Sequence, residues 1–116
     1  MQKLYLVVDD EETIRDVIIE LIGEEAGYKA VGAESGLKAL ELMKSINFNL
    51  ILLDLEMPGM NGNQFLEELS TTAPAIPVIV ISANPAKLKT HPQVKSVLAK
   101  PFDIEQLLAV LEKHTT

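Results

Sequence analysis

Leu50-Ile51-Leu52-Leu53-Asp54-Leu55-Glu56-Met57-Pro58-Gly59 joins four consecutive apolar residues to an acid and then to a turn. The run does not alternate polar with apolar, so it reads as a strand buried on both faces, which is how strands of a parallel sheet look. Asp54 ends that run, and the turn-rich Glu56-Met57-Pro58-Gly59 loop after it is no helix start, so helix capping does not explain the acid.

Working outward, apolar runs recur at Leu4 to Val8, Val78 to Ile81 and Val97 to Ala99, with a weaker one at Lys29 to Ala33. Helical patterns lie between them. Ile14, Val17, Ile18, Leu21 and Ile22 recur at three-and-four spacing, with Gly27 as the stop. Leu37, Leu40 and Met43 mark a second helix after Ser35, and Phe65, Leu66 and Leu69 a third, capped by Asn61 with Gln64 behind it. Ile104, Leu107, Leu108 and Leu111 mark the last, capped by Asp103 with Gln106 three residues on. Strand and helix in alternation predict right-handed crossovers and a parallel α/β sheet with helices on both faces.

Size and composition set the outer limits. A chain of 116 residues, 47% hydrophobic and 23% charged, fits one globular domain over residues 1–116 with no linker or tail. The absence of cysteine excludes disulfides and thiolate metal sites, and the N-terminal apolar stretch is too short for a signal or membrane segment, so a cytoplasmic protein is expected. A net charge of -7 argues against direct contact with nucleic acid.

In such a sheet the loops after the strands' carboxyl ends form the binding edge. Here they carry Asp9 and Asp10, then Asp54, Ser82 and Lys100. Taken singly, most have plain explanations. Asp10 before a helix is as readily an N-cap, and a lysine before proline is usually a solvated loop residue. Together they make chemical sense. Three converging carboxylates repel unless a hard cation sits among them, and magnesium suits carboxylates, water and phosphate oxygens. His91 and His114 lie outside these loops, which disfavours zinc. An aspartate beside such an ion can attack phosphorus, with Lys100 and Ser82 serving phosphoryl oxygens.

The order of motifs resembles the receiver domain of two-component response regulators, including the chemotaxis type, over nearly the whole chain. The carriers are Asp9-Asp10, the run from Leu50 through Gly62, Ser82-Ala83 and Lys100-Pro101-Phe102. The resemblance implies a doubly wound, flavodoxin-like five-stranded sheet of order 2-1-3-4-5. It also implies that Asp54 takes a phosphoryl group from a phosphohistidine of a sensor histidine kinase or a histidine phosphotransfer protein. Asp10, Asp54 and the backbone carbonyl of Glu56 would ligate Mg2+, with Asp9 acting through water, and Lys100 and Ser82 would assist. The chain would be no enzyme in the usual sense, catalysing only its own phosphorylation and slow dephosphorylation. With no output domain, a downstream effector protein would read its phosphorylated surface. A cis Lys100-Pro101 bond is favoured on the same grounds.

Two departures from that pattern stand out. Family members usually carry an aromatic residue three positions before the lysine, where this chain has Val97. The stretch from Asn84 to Ser96, broken by Pro85 and His91-Pro92, predicts a shortened fourth helix of at most about two turns. One rival reading is a phosphorylation-independent interaction module, which would be expected to lack some of these residues. Another is an aspartyl-phosphate hydrolase, which needs an acid-base aspartate where Glu56 stands and a cap for which no residues remain.

Overall fold

The computed structural model describes residues 3–24 and 28–115; the expected helix stop at Gly27 lies outside them. In chain order the elements are β1 (Lys3–Val8), α1 (Glu12–Gly23), β2 (Tyr28–Ala33), α2 (Gly36–Met43) and β3 (Leu50–Asp54). They continue with α3 (Gly62–Thr72), β4 (Val78–Ser82), a 3-10 turn (Pro85–Lys87), β5 (Val94–Ala99) and α4 (Ile104–Thr115). The strands form one parallel sheet in the order β2-β1-β3-β4-β5, as expected.

Alternating strand side chains divide the interior into two layers. Leu6, Val8, Ile51, Leu53, Val78 and Val80 face α2 and α3, where Ala39, Phe65, Leu66 and Leu69 meet them. Tyr5, Val7, Leu50, Leu52, Ile79 and Ile81 face α1 and α4, against Ile18, Ile22, Leu107 and Leu111. Leu50 to Leu53 are therefore apolar throughout because each residue is at most 1% exposed, whichever face it takes. Each such burial stabilises the fold by about 2 kcal/mol.

The helix starts follow their caps. Ser35 Oγ accepts from Lys38 N at 3.1 Å. Asn61 and Gln64 form a reciprocal capping box, and Asp103 and Gln106 repeat it at 2.8 and 2.9 Å. The N-cap of α1, however, is Glu11 rather than Asp10, and its side chain makes no capping bond.

Four sequence expectations need correction. Val17, read into the apolar stripe of α1, is 44% exposed, leaving Ile18 and Ile22 as the buried residues of that helix. Leu37, placed in the core stripe of α2, is 67% exposed, because Ala39 at 0% defines the inward face and Leu37 sits about 160° away round the helix. Ile104 is likewise 54% exposed, leaving the packing of α4 to Leu107 and Leu111. The fifth strand begins at Val94, three residues before the apolar run, with a register shift opposite Val78 and Ile79. The fourth crossover holds a single 3-10 turn, within the two-turn expectation. No helix among the described residues is long and apolar enough to cross a membrane.

Candidate functional site

The carboxyl ends of β1, β3, β4 and β5 bring the expected polar residues to one edge. Asp9, just past β1, is 2% exposed, and Asp54, the last residue of β3, is 4% exposed. Ser82 ends β4 and is fully buried, and the Lys100 amide after β5 donates to the Ser82 carbonyl at 2.8 Å. The Lys100-Pro101 bond is cis. Lys100 Nζ lies 3.0 Å from Asp9 Oδ2, 3.4 Å from Glu11 Oε1 and 3.6 Å from Asp54 Oδ2.

Backbone geometry fixes the two buried acids. Asp9 Oδ1 accepts from Glu11 N at 2.9 Å, and Asp54 Oδ1 accepts from Glu56 N at 3.3 Å. Behind Asp54, the chain reverses through Gly59, whose φ of 77° lies in the left-handed region that glycine tolerates. Gly62 then opens α3 hard against the strand end. Its amide donates to the Leu55 carbonyl at 2.8 Å, and a Cβ there would lie 2.7 Å from Leu55 Cα and 2.8 Å from the Asp54 carbonyl oxygen.

Carboxylate oxygens of Asp9, Asp10, Glu11 and Asp54 all lie within 4.8 Å of one another, with Asp10 and Glu11 on the solvent side. Burial, and next the charge of Asp9, raise Asp54 to about 6 from its usual 3.8, although Lys100 and the Glu56 amide pull the other way. Burial works to lower Lys100, but its hydrogen bond to Asp9 and the charges of Asp9, Asp54 and Glu11 outweigh that, leaving its pKa above the ordinary lysine value. One ammonium thus lies against three of the four acids. The remaining excess of negative charge, the all-oxygen donors and the open solvent side fit a hard divalent cation such as magnesium.

Glu56 behaves differently from the other acids. Its exposed carboxylate accepts from Asn84 Nδ2 at 2.7 Å and pairs with Lys87 Nζ at 3.5 Å, outside the acidic cluster. The Asn84 hydrogen bond, aided by Lys87, lowers its pKa. Only its backbone carbonyl therefore remains a candidate ligand. The Ser82 hydroxyl oxygen accepts from Asn84 N at 2.9 Å.

Glu11, Asn84 and Lys87 were not singled out from the sequence. Glu11 continues the acidic run Asp9-Asp10-Glu11-Glu12 and stands two residues past Asp9, which is a usable signal. Asn84 and Lys87 carry none, because they meet Glu56 only through the return of β4 beside β3.

Comparison with known proteins agrees with this arrangement. The family model of the response regulator receiver domain matches residues 5–112. The chain is 32% identical to sporulation initiation phosphotransferase F of Bacillus subtilis, across 98% of this chain and 94% of that protein. It is 33% identical to the DNA-binding transcriptional regulator NtrC of Escherichia coli across 92% of this chain, but spans only 24% of that longer protein. Among solved structures, response regulator TrrA of Thermotoga maritima, in complex with Mg(2+)-BeF, superposes with a TM-score of 0.85 at 32% identity, covering 97% of this chain and 98% of that one. Chemotaxis protein CheY4 of Vibrio cholerae gives 0.84 at 26% identity, covering 98% and 99%. A buried aspartate at the end of the central strand, an acidic pair beside it and a lysine reaching over both thus sit in a chain that belongs to the response regulator receiver domain family, the phosphoacceptors of two-component signalling.

Proposed function

We propose that Asp54 is the phosphoacceptor and that the chain catalyses its own phosphorylation from a phosphohistidine on a sensor kinase or phosphotransfer protein. The observation that carries this is Lys100 Nζ, held 3.0 Å from Asp9 and 3.6 Å from Asp54 above the acidic cluster. Asp10, Asp54 and the Glu56 carbonyl would hold Mg2+, with Asp9 acting through water. The bound ion would shield the incoming phosphoryl group from the acids and stabilise its developing charge.

The residues divide the work as follows. Asp54, at about 6, is mainly ionised near neutral pH yet poorly solvated, so its oxygen is a better nucleophile than an exposed carboxylate. The new oxygen–phosphorus bond forms as the donor's nitrogen–phosphorus bond breaks, and the leaving imidazole takes a proton from solvent. Lys100 stays charged and can turn from Asp54 to a phosphoryl oxygen. Ser82 Oγ uses a lone pair for Asn84 N, which leaves its proton for a second phosphoryl oxygen. Dephosphorylation reverses the carboxylate's part, with water attacking phosphorus.

TrrA, at 32% identity, binds Mg(2+)-BeF, and the same pair of reagents suits this site. A cytoplasmic setting follows from a donor phosphorylated at the expense of ATP, and a downstream effector would read the modified surface. A phosphorylation-independent module has less support, since it would be expected to lack some of Asp9, Asp10, Asp54, Ser82 and Lys100, and this chain carries all five.

The test is acetyl phosphate with and without magnesium, read by intact-protein mass spectrometry. The adduct should form only with the ion and vanish in Asp54→Asn. Full-yield phosphorylation of Asp54→Asn would overturn the assignment.

A further inference from the structure

Arg15 breaks the pattern of α1. Ile18, Ile19 and Ile22 follow it at three, four and seven residues, so it occupies the helix's inward stripe, where Ile18 and Ile22 are buried. An aliphatic residue would suit that position, yet the chain's one arginine stands there, half-buried. It also lies near the amino end of α1, where the helix dipole favours acids over bases. Neither packing nor helix electrostatics accounts for it.

Its contacts do. Arg15 Nη1 donates to the Asp9 carbonyl at 2.9 Å, and the Arg15 backbone amide donates to the Glu11 carbonyl at 3.0 Å. One residue thus grips the acidic loop on both sides of Asp10. Asp9 is held besides by its amide, which donates to the Ala33 carbonyl, and by both carboxylate oxygens, which meet Glu11 N and Lys100 Nζ. Asp10 is exposed, so packing does not fix its carboxylate. Its direction depends on the planar peptide that joins it to Asp9, and the oxygen of that peptide is the one Arg15 holds.

Gly32 makes the room. Tyr28 and Ala30 of β2 pack in the layer beneath α1, and Gly32 continues their face of the strand. A Cβ at Gly32 would stand 3.0 Å from Ile19 Cδ1, 3.3 Å from Arg15 Cδ and 3.4 Å from Arg15 Nε. The Arg15 stem therefore crosses the strand where another side chain would sit. Glycine weakens a strand, and close approach by a neighbouring group is a physical reason to keep one.

We propose that Arg15 is a positioning residue for the cation site: by gripping the Asp9 carbonyl across Gly32, it fixes the Asp9–Asp10 peptide and aims the Asp10 carboxylate at the divalent ion. This rests on Asp9, Asp10 and Asp54 being the magnesium site. The guanidinium acts through the backbone and touches no reacting atom.

The sign of one measurement separates this role from a bare charge effect. Removing a cation from beside four acids would by itself tighten magnesium binding. Loss of positioning weakens it. In calorimetric titration of the whole chain with magnesium chloride, Arg15→Met should bind about tenfold more weakly than the parent. Arg15→Lys should fall between them, since an ammonium can donate to the carbonyl without the reach of the planar fork. Gly32→Val, which displaces Arg15 while leaving every acid in place, should weaken binding in the parent and add little to Arg15→Met. With acetyl phosphate, the magnesium concentration for half-maximal phosphorylation should rise about tenfold in Arg15→Met, while the rate at saturating magnesium stays within about twofold. Circular dichroism shows which variants are folded; should Arg15→Met not fold, Arg15→Lys and Gly32→Val carry the same test. Equal or tighter binding by Arg15→Met, or a full additional effect of Gly32→Val upon it, would overturn the proposal. A parent chain that binds no magnesium would overturn the metal site itself and this role with it.

Discussion

The Asn84 side-chain amide donates a 2.7 Å hydrogen bond to the Glu56 carboxylate, tying the loop after the central strand to the turn that follows β4. Because the Asn84 backbone amide also holds Ser82 Oγ, one residue connects the buried hydroxyl to an acid two residues past Asp54. If Asn84 is changed to alanine, Glu56 loses the main contact that restrains it and becomes free to serve as a base for water attacking phosphorus. The phosphoryl lifetime on Asp54 should shorten about threefold in Asn84→Ala, and Glu56→Gln should restore it. Decay of the adduct in the two single variants and the double variant checks this. Equal decay in all four proteins would show that the contact is only structural.

The same connection predicts where phosphorylation is felt. Valine has no ring to swing between buried and exposed positions, so Val97 cannot act as an aromatic switch. When Ser82 turns to a phosphoryl oxygen, its bond to Asn84 N is disturbed at the root of the weakly structured crossover. Hydrogen exchange should change most between Ala83 and Val97 and least in α1. Changes concentrated in α1 would contradict it.

Asp54 should destabilise the metal-free fold at neutral pH. Its folded pKa of about 6 exceeds the ordinary 3.8, so the native state binds the proton more tightly than the unfolded chain. Stability is then highest below about pH 4 as far as this group is concerned, falls as pH rises toward about 6, and stays low above that. Asp54→Asn should gain about 3 kcal/mol near pH 7 and little near pH 4, as denaturant titrations at both pH values would show. Magnesium should close much of the gap for the parent chain alone.

Magnesium affinity should fall with acid for the same reason. Proton and cation compete for Asp54, so affinity should drop about tenfold for each pH unit well below about 6 and level off above it. Calorimetric titration across this range measures the profile. Asp10→Ala should weaken binding throughout, and unchanged affinity in that variant would remove Asp10 from the ligand set.

Gly62→Ala should harm both fold and site. The added carbon meets backbone atoms of Leu55 and Asp54, which cannot rotate aside as a flexible side chain would. Overpacking of this kind costs about 1–3 kcal/mol, more than the roughly 1 kcal/mol that alanine offers a helix. Thermal denaturation should show a lower midpoint, and phosphorylation of Asp54 should slow as the strand end moves.

Sequence alone determined the sheet and which polar residues gather at its edge, because buried parallel strands need unbroken apolar runs and the residues that end those runs reach the same edge. Leu50 to Leu53, Asn61 with Gln64 and Asp103 with Gln106 are local patterns whose physics is complete within a few residues. Asp9, Asp54, Ser82 and Lys100 follow from them by topology. What tertiary structure decided depends on neighbours distant in the chain. Leu37 and Ile104 satisfy a helical period yet face outward, because a short helix can rotate its stripe when Ala39 or Leu107 fits the sheet more closely. Glu11 turns its carboxylate toward Lys100, 89 residues away, instead of capping its own helix. Glu56 finds Asn84 rather than the acidic cluster, because β4 runs beside β3. Val97, in an apolar run, is 43% exposed on β5, which is legible only once Lys87 and Lys89 of the crossover before it are seen tied to Asn63 of α3, since side-chain exposure depends on what the folded chain leaves uncovered.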